Sequence, residues 1–356
     1  MRIDDSRPRD LDLETNARAE PRSAARVPDA ALRRDFPETS SDRDPPELLA
    51  FYAGLRAEVS SATRSDALGT SRDAVAQGRM DAVRDAYAGP YSLVGEHVTA
   101  RPMFRLNQGA NEASMQEHAR QLDAIASRVG VNGVMVRNGC ASPRELVKVT
   151  QALIDAGKLP NGAGDAAARI RQMQWTWGIG VDCAGYTRRS FLAANGLSER
   201  QTASIGLASL GNEAFRGLDK NPHFAKVAPS DVRPGDLVTL DPKPGGRWGH
   251  NLVVRGNTVA DEAAKAAFAA QHGPLAKAFL QGFGPYHMIE VDSSWGAGAA
   301  GADYGGFRRD TWIYDASTRE WGYLDPTARP PAFAVSKSGP ASDDDYHGAY
   351  RAKVGA

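Results

Sequence analysis

Cysteine, net charge and long apolar runs are scarce in this chain of 356 residues. Its two cysteines, Cys140 and Cys183, are too few for the disulfide framework of a small secreted scaffold. Its 43 Lys and Arg residues balance 43 Asp and Glu residues, so bulk charge provides no electropositive face for nucleic acid. No run approaches the roughly 20 apolar residues that cross a bilayer, which predicts a protein without membrane insertion.

The N-terminus also lacks the apolar core of a general secretory signal, because its first ten residues lead into more charge. We therefore expect either a cytoplasmic protein or one exported by a specialised secretion system. In the second case a secretion-machine or immunity partner is expected, and the sequence does not identify it.

Composition along the chain predicts four regions. Residues 1–45 carry 9 Lys and Arg and 11 Asp and Glu residues, a composition too charged to bury a core, and are predicted to be disordered. Residues 46–165 have apolar residues at helical spacing and are predicted to be a helical region. Residues 166–330 form the predicted main domain, with a helical insertion at about 258–283. Residues 331–356 are rich in Ser, Asp and Gly and are predicted to be a flexible tail.

The main domain changes from helical to strand patterns at about residue 236. Helices come first, and short β-rich runs follow between Gly, Pro and Asp residues. This order predicts an α+β fold in which helices pack on a short antiparallel β-sheet. The predicted strands are Leu237–Leu240, Leu252–Val254, Met288–Val291, Thr311–Tyr314 and Trp321–Leu324.

Common cofactor motifs are incomplete. Gly178-Ile179-Gly180 lacks the third glycine of a dinucleotide-binding loop, and no phosphate-binding loop ends in Gly-Lys-Ser/Thr. The cysteines and the seven histidines do not show paired zinc spacing. The sequence therefore predicts neither a metal nor an organic cofactor.

Cys183 is the candidate nucleophile. Asp182 is the predicted N-cap of a helix that runs to Ala194, which places Cys183 in the first helical turn. Unpaired N–H groups and the positive end of the helix dipole stabilise a thiolate at such a position. Cys140 lies beside Gly139, before another predicted helix, and is interpreted as structural.

Three ordered blocks resemble the NlpC-type papain-like cysteine peptidases, a superfamily of bacterial cell-wall endopeptidases and amidases. They are Trp177-Gly178 with Asp182-Cys183-Ala184-Gly185-Tyr186, then Arg233-Pro234-Gly235-Asp236-Leu237-Val238, and finally Gly249-His250-Asn251-Leu252-Val253-Val254. The resemblance covers about residues 175–325. It implies a papain-like cysteine hydrolase domain at 166–330, with Cys183 as nucleophile and His250 as the general base. Asp182 and the amide of Cys183 would support the oxyanion.

The third catalytic residue is expected on the strand that follows His250. If Ile289 and Val291 face the core, alternation places Glu290 and Asp292 on the other face. Asp292 is the preferred partner of the imidazole, with Glu290 as the alternative and His287 as a weaker candidate. The other histidines are expected in solvated or capping roles: His97, His118, His223, His272 and His347.

The sequence departs from the family pattern at several positions. Ala184 replaces the usual serine, and Asn251-Leu252 replaces the usual Val-Gly after the histidine. The long interval between His250 and Asp292 leaves the third residue open. Four tryptophans flank the blocks and either line a substrate groove or belong to the core: Trp175, Trp177, Trp248 and Trp295.

The leading hypothesis is therefore a cysteine peptidase or amidase that cleaves an amide bond through a Cys-His-Asp triad. By resemblance, its substrate is a stem or crosslink peptide of peptidoglycan. One alternative is a secreted effector that uses the same triad as a protein deamidase or as an acyl or amide transferase. A second alternative is a binding module that retains the fold without catalysis.

Overall fold

The computed structural model describes residues 71–104, 112–162, 164–207, 213–244, 249–282, 284–295, 305–325, 331–341 and 344–353. Within these ranges, polar capping residues lie where several helices begin. Ser142 and Glu145 form the predicted capping box. Asp165, Asp182 and Asp261 each accept a hydrogen bond from an amide in the first turn that follows. The described helices are α1 (Arg72–Tyr87), α2 (Glu112–Arg128), α3 (Gly133–Arg137), α4 (Pro143–Asp155), α5 (Ala166–Trp177), α6 (Cys183–Ala194), α7 (Glu213–Arg216), α8 (Glu262–His272) and α9 (Pro274–Phe279).

Ten described strands form a two-stranded hairpin and one eight-stranded antiparallel sheet. The hairpin pairs β1 (Tyr91–Leu93) with β2 (Glu96–Val98). The order of the large sheet is β3-β10-β4-β5-β6-β7-β8-β9. Its strands are β3 (Phe224–Val227), β4 (Leu237–Pro242), β5 (His250–Val259), β6 (Tyr286–Trp295), β7 (Gly306–Asp315), β8 (Glu320–Asp325), β9 (Ala332–Ser336) and β10 (Asp344–Ala352). The predicted α+β class is confirmed.

The large sheet is curved and has two buried faces. On the concave face, the ring of Tyr346 in β10 lies 4.8 Å from the ring of Trp321 in β8, although four strands separate β10 from β8. We call the other face the α6 face, because Leu237 of β4 packs there with Ala184 and Phe191 of α6. Side chains alternate between these faces along each strand, which decides which residues can meet at a site.

Two predictions about the sheet need correction. The sheet is not short, since eight strands pair and β5, β6 and β7 each have ten residues. The region after residue 330 is not a flexible tail, because it contributes β9 and β10, and β10 pairs with both β3 and β4. Only Gly348–Tyr350 are buried in β10, so the hydrophobic signal of this strand is weak although it pairs with a strand on each side.

The helical region before the sheet shares a core with the segment that carries Cys183. Tyr87 of α1, Leu122 of α2 and Leu146 of α4 belong to one buried cluster with Trp177 and Tyr186. The described residues form one compact unit. The predicted boundary at residue 165 therefore lies within a continuous hydrophobic core, while the predicted disordered segment 1–45 lies outside the described residues.

Helices α8 and α9 lie between β5 and β6, where the sequence predicts a helical insertion. Phe268 of α8 and Ala276 of α9 pack with Tyr286, Ile313 and Phe333 of the sheet. The insertion therefore lengthens the connection between His250 and Asp292 without interrupting the pairing of β5 with β6. Within the described ranges, no helix combines the length and the apolar character needed to cross a membrane.

Candidate active site

Cys183 is the first residue of α6, as the sequence predicts. The N-cap carboxylate of Asp182 accepts a hydrogen bond from the amide of Gly185. The amide of Asp182 donates to the Gly139 carbonyl at 3.0 Å, which joins this turn to the segment that carries Cys140. Gly185 permits this approach, because a Cβ there would clash with the Gly139 carbonyl oxygen.

The Cys183 thiol is buried against backbone amides. Burial, and after it the neighbouring Asp182 charge, raise the pKa of this thiol to about 12. Hydrogen bonds with the backbone of Asn251, Ala184 and Cys183 itself act in the opposite direction and lower the pKa. The amides of Cys183 and Ala184 are the helix-terminal donors that would stabilise a thiolate or an oxyanion, but the resting thiol stays protonated at neutral pH.

His250 is the first residue of β5 and faces the concave side of the sheet. It pairs with Leu240, and both Leu240 and Leu252 pack in the concave cluster. The imidazole stacks on Trp295 with ring centroids 3.7 Å apart. Burial lowers the pKa of His250 to about 3, with a smaller contribution from the positive charge of Arg308. The buried Nε2 atom has no hydrogen-bond partner within the described part of the chain.

The structure therefore brings the Cys183 thiol to the His250–Asn251 peptide, but not to the imidazole. Asn251 pairs with Thr239 and Val253 with Leu237, whose side chain packs on α6. Alternation thus places Asn251 on the α6 face and His250 on the concave face. The two proposed catalytic side chains start on opposite faces of β5.

Asp292 is not beside His250 either. Ile289 and Val291 face the concave cluster as predicted, so Asp292 lies on the α6 face, where it pairs with Val253. Its fully buried carboxylate accepts a hydrogen bond from the Tyr186 hydroxyl at 3.1 Å. Three arginines surround it, with nitrogen–oxygen distances of 3.4 to 3.9 Å: Arg84, Arg255 and Arg309.

These contacts assign Asp292 to an ion-pair network rather than to a triad. Arg255 and Arg309 also pair with Asp81 of α1, at 2.9 Å and 3.1 Å. Burial raises the pKa of Asp292 even though the arginines oppose this shift. The alternative acid, Glu290, pairs with Gly256, farther along β5, and its side chain is exposed. Neither predicted acid orients the imidazole in this arrangement.

The four tryptophans that were predicted to line a groove or belong to the core lie in different surroundings. Trp177 belongs to the helical core and contacts the His118 ring at 4.8 Å. Trp175 is half-buried on α5, and Trp248 lies outside the described residues. Trp295 contacts His250, and the guanidinium of Arg308 lies 4.2 Å from the centroid of the Trp295 ring.

Cys140 is buried behind the start of α6. Its Sγ lies 3.3 Å from the Asn138 carbonyl and 3.9 Å from a carboxylate oxygen of Asp182. Burial raises the pKa of Cys140 well above its usual range, with Asp182 as the second cause. Neither cysteine forms a disulfide, and the surroundings of Cys140 fit the structural role predicted for it.

The sequence prediction missed a polar cluster on β4 and β10. His347 was expected in a solvated or capping role, yet it lies in β10 and its Nδ1 is 2.7 Å from a carboxylate oxygen of Asp241. The pattern around His347 is Asp-Asp-Asp-Tyr-His-Gly, whose polar composition conceals a strand. No group of metal-ligating side chains suited to an ion occurs among the residues that the structure describes.

Protonation of His250 should destabilise the fold. The pKa of His250 is about 3 in the folded protein and about 6.5 in an unfolded chain, so the unfolded state binds this proton more readily. Stability is then lost as the pH falls from about 6.5 towards 3. We expect the free energy of unfolding to drop by about 2 kcal/mol between pH 8 and pH 5 because of this residue.

Urea denaturation of the wild type and of His250→Gln at both pH values measures this contribution. The pH-dependent loss should be smaller by about 2 kcal/mol in the variant. Equal losses in the two proteins would contradict a buried, neutral imidazole.

Comparison with known proteins does not assign the chain to a family. Neither protein-family models, nor curated proteins, nor solved structures give a match to the chain.

Proposed function

We propose that the chain is a cysteine hydrolase of papain-like fold that cleaves amide bonds, with Cys183 as nucleophile and His250 as general base. The observation that carries this proposal concerns Cys183, which lies at the start of α6. Its thiol contacts the His250–Asn251 peptide at the start of β5. The packing of α6 across β5 and β6 also supports it, because the nucleophile helix and the histidine strand are then neighbours. The ordered sequence blocks provide further support.

Catalysis in this proposal requires the imidazole to leave Trp295 and reach the thiol. His250 is the first residue of its strand and follows Gly249, and its Nε2 makes no hydrogen bond with any residue that the structure describes. The imidazole would take the thiol proton, and the thiolate would attack the amide carbonyl. The amide of Cys183 would stabilise the oxyanion, and the imidazolium would protonate the leaving amine. Water would then hydrolyse the thioester.

The proposed substrate is a stem or crosslink peptide of peptidoglycan, and this part rests on the sequence resemblance. The test is incubation of the protein and of Cys183→Ala with purified peptidoglycan, followed by mass spectrometry of the soluble products. New amine and carboxylate ends should form only with the wild type. If the mass of a protein target instead increases by the difference between a carboxylic acid and an amide, the chain is a deamidase.

A second candidate is a binding module that keeps the fold without catalysis. The raised pKa of Cys183 and the separation of His250 from the thiol favour this candidate. The two functions predict different thiol chemistry. A hydrolase should be alkylated rapidly at Cys183 at pH 7, and His250→Ala should slow the reaction at least about tenfold.

Iodoacetamide labelling followed by peptide mass spectrometry measures both cysteines in one sample. Cys140 is the internal control, because it is buried and its pKa is also raised. If Cys183 labels as slowly as Cys140 at pH 7 and accelerates only above about pH 10, the binding module is the better description.

A further inference from the structure

The imidazole of His250 packs against Trp295, which in turn packs against Arg308. The pairing of β5 with β6 ends at Val253 and Asp292, and the rings of His250 and Trp295 lie beyond its end. These two rings stack with their centroids 3.7 Å apart. The guanidinium of Arg308 lies 4.2 Å from the centroid of the indole, so the indole contacts the imidazole and also a cation.

Asp310 fixes the guanidinium against the indole. Asp310 pairs with Val291 across β6 and β7, and Arg308 lies two residues earlier on the same strand. Since Val291 faces the concave cluster, alternation places both charged side chains on that face, where His250 also lies. Nε of Arg308 donates to the Asp310 carboxylate at 2.9 Å, and the two side chains are 32% and 18% exposed. This charge-assisted hydrogen bond gives Arg308 one orientation against Trp295.

The stacked imidazole makes no hydrogen bond through Nε2. Both Nε2 of His250 and Nε1 of Trp295 are buried, and neither has a hydrogen-bond partner among the residues that the structure describes. A buried polar atom without a partner costs free energy. Transfer of the imidazole to the Cys183 thiol would give Nε2 a partner and remove this cost. Packing against the indole, rather than a hydrogen bond of Nε2, therefore opposes the movement that catalysis requires.

The stacked position also prevents His250 from acting as a base. Burial, and after it the positive charge of Arg308, lower the pKa of the imidazole to about 3. A general base takes up a proton during the reaction, and these surroundings disfavour the imidazolium that would form. The Cys183 thiol meanwhile contacts the backbone of Asn251 on the other side of β5. The resting arrangement is therefore inactive in both distance and proton affinity.

We propose that Trp295 and Arg308 are positioning residues that hold His250 away from Cys183, so that the hydrolase is latent until the indole moves aside. This inference rests on the function proposed above and adds a means of regulation to the same site. His250 is the first residue of β5 and Trp295 is the last residue of β6. Both side chains can therefore move while the β5–β6 pairs from Val253 and Asp292 onward stay intact.

Iodoacetamide labelling of the full chain at pH 7 tests the proposal with the variant Trp295→Leu. Loss of the indole should release the imidazole, and Cys183 should then be alkylated at least about fivefold faster than in the wild type. Cys140 reports general loosening of the fold, because it is buried to the same extent, and its rate should not change. Equal acceleration of both cysteines, or no acceleration in a variant that unfolds cooperatively, would overturn the proposal.

The double variant Trp295→Leu/His250→Ala distinguishes this proposal from the hydrolase itself. If the released imidazole is the base, the double variant should lose the acceleration that Trp295→Leu gives. If His250→Ala slows labelling of the wild type while Trp295→Leu has no effect, the positioning role is wrong and the hydrolase stands. If His250→Ala slows labelling in neither background, the proposed function itself is wrong.

The variant Arg308→Gln keeps the indole and provides the test if Trp295→Leu does not fold. Loss of the cation weakens the support of Trp295, and labelling of Cys183 should accelerate at least about twofold. Arg309→Gln is the matched control, since it removes the same charge one residue later, on the opposite face of β7, and should not change the rate. Equal rates in Arg308→Gln and Arg309→Gln would contradict the role assigned to Arg308.

Discussion

Replacement of Cys183 by Ala is expected to lower the rate of amide cleavage by a factor of about 10⁴ or more. The thiol is the group that attacks the amide in the proposed reaction, and Ala cannot form the thioester. The change should have a small effect on folding, because it removes one sulfur atom and leaves the Asp182 cap of α6 in place. Product release from peptidoglycan, quantified by mass spectrometry, gives the rate.

Cys140→Ala is the matched control for this experiment. Cys140 is buried to the same extent as Cys183, each being 3% exposed, and it lies behind the same helix start. It has no role in the proposed chemistry, so Cys140→Ala should keep activity within about a factor of three of the wild type. Equal product formation by the wild type and Cys183→Ala would exclude Cys183 as the nucleophile.

The variant His250→Ala distinguishes a mechanism that uses a Cys183–His250 dyad from one in which the thiol acts without His250. If the imidazole reaches Cys183 during turnover, its removal should cost at least about 10²-fold in rate. A wild-type rate in His250→Ala would mean that another base accepts the thiol proton.

The sequence predicted strand centres well, but not strand lengths. The predicted run Leu252–Val254 lies inside β5, which extends to Val259 because Gly256, Asn257 and Thr258 pair with β6. These later residues have no β-rich composition, and only the neighbouring strand reveals that they belong to the sheet. β10 escaped prediction for the same reason, since its ladder with β3 and β4 compensates for its polar composition.

The start of α6 was predictable because its signals are local. Asp182 caps the helix, and the Gly-rich segment before it makes the turn, so the position of Cys183 follows from adjacent residues. The face of β5 on which the His250 side chain lies was not predictable. Leu252, Val253 and Val254 are all apolar, so β5 lacks the alternation that would show which face belongs to the concave core.

The partners of Asp292 also escaped prediction. Alternation along β6 correctly placed Ile289 and Val291 in the core and Asp292 on the other face. The arginines that surround the carboxylate come from three separate elements, α1, β5 and β7. A carboxylate predicted to orient a histidine and one that anchors a network have the same sequence pattern, and only tertiary structure separates them.

Removal of the Asp292 charge is therefore expected to reduce stability rather than catalysis. Asp292 is fully buried, and Arg255 is 5% exposed, so Asp292→Asn leaves buried positive charge with less compensation. We expect a loss of about 3 kcal/mol in the free energy of unfolding, at the lower end for a broken buried pair because Arg255 keeps Asp81. Urea denaturation with fluorescence detection measures this loss.

Glu290→Gln is the matched control, because it removes a carboxylate from the same strand at an exposed position, and its effect should stay within about 0.5 kcal/mol. The double variant Arg255→Met/Asp292→Leu tests the cause. If uncompensated charge is responsible, the double variant should be more stable than Asp292→Leu alone, since both buried charges are then absent. An Asp292→Asn protein that unfolds like the wild type but loses activity would contradict the network assignment and restore Asp292 as the residue that orients His250.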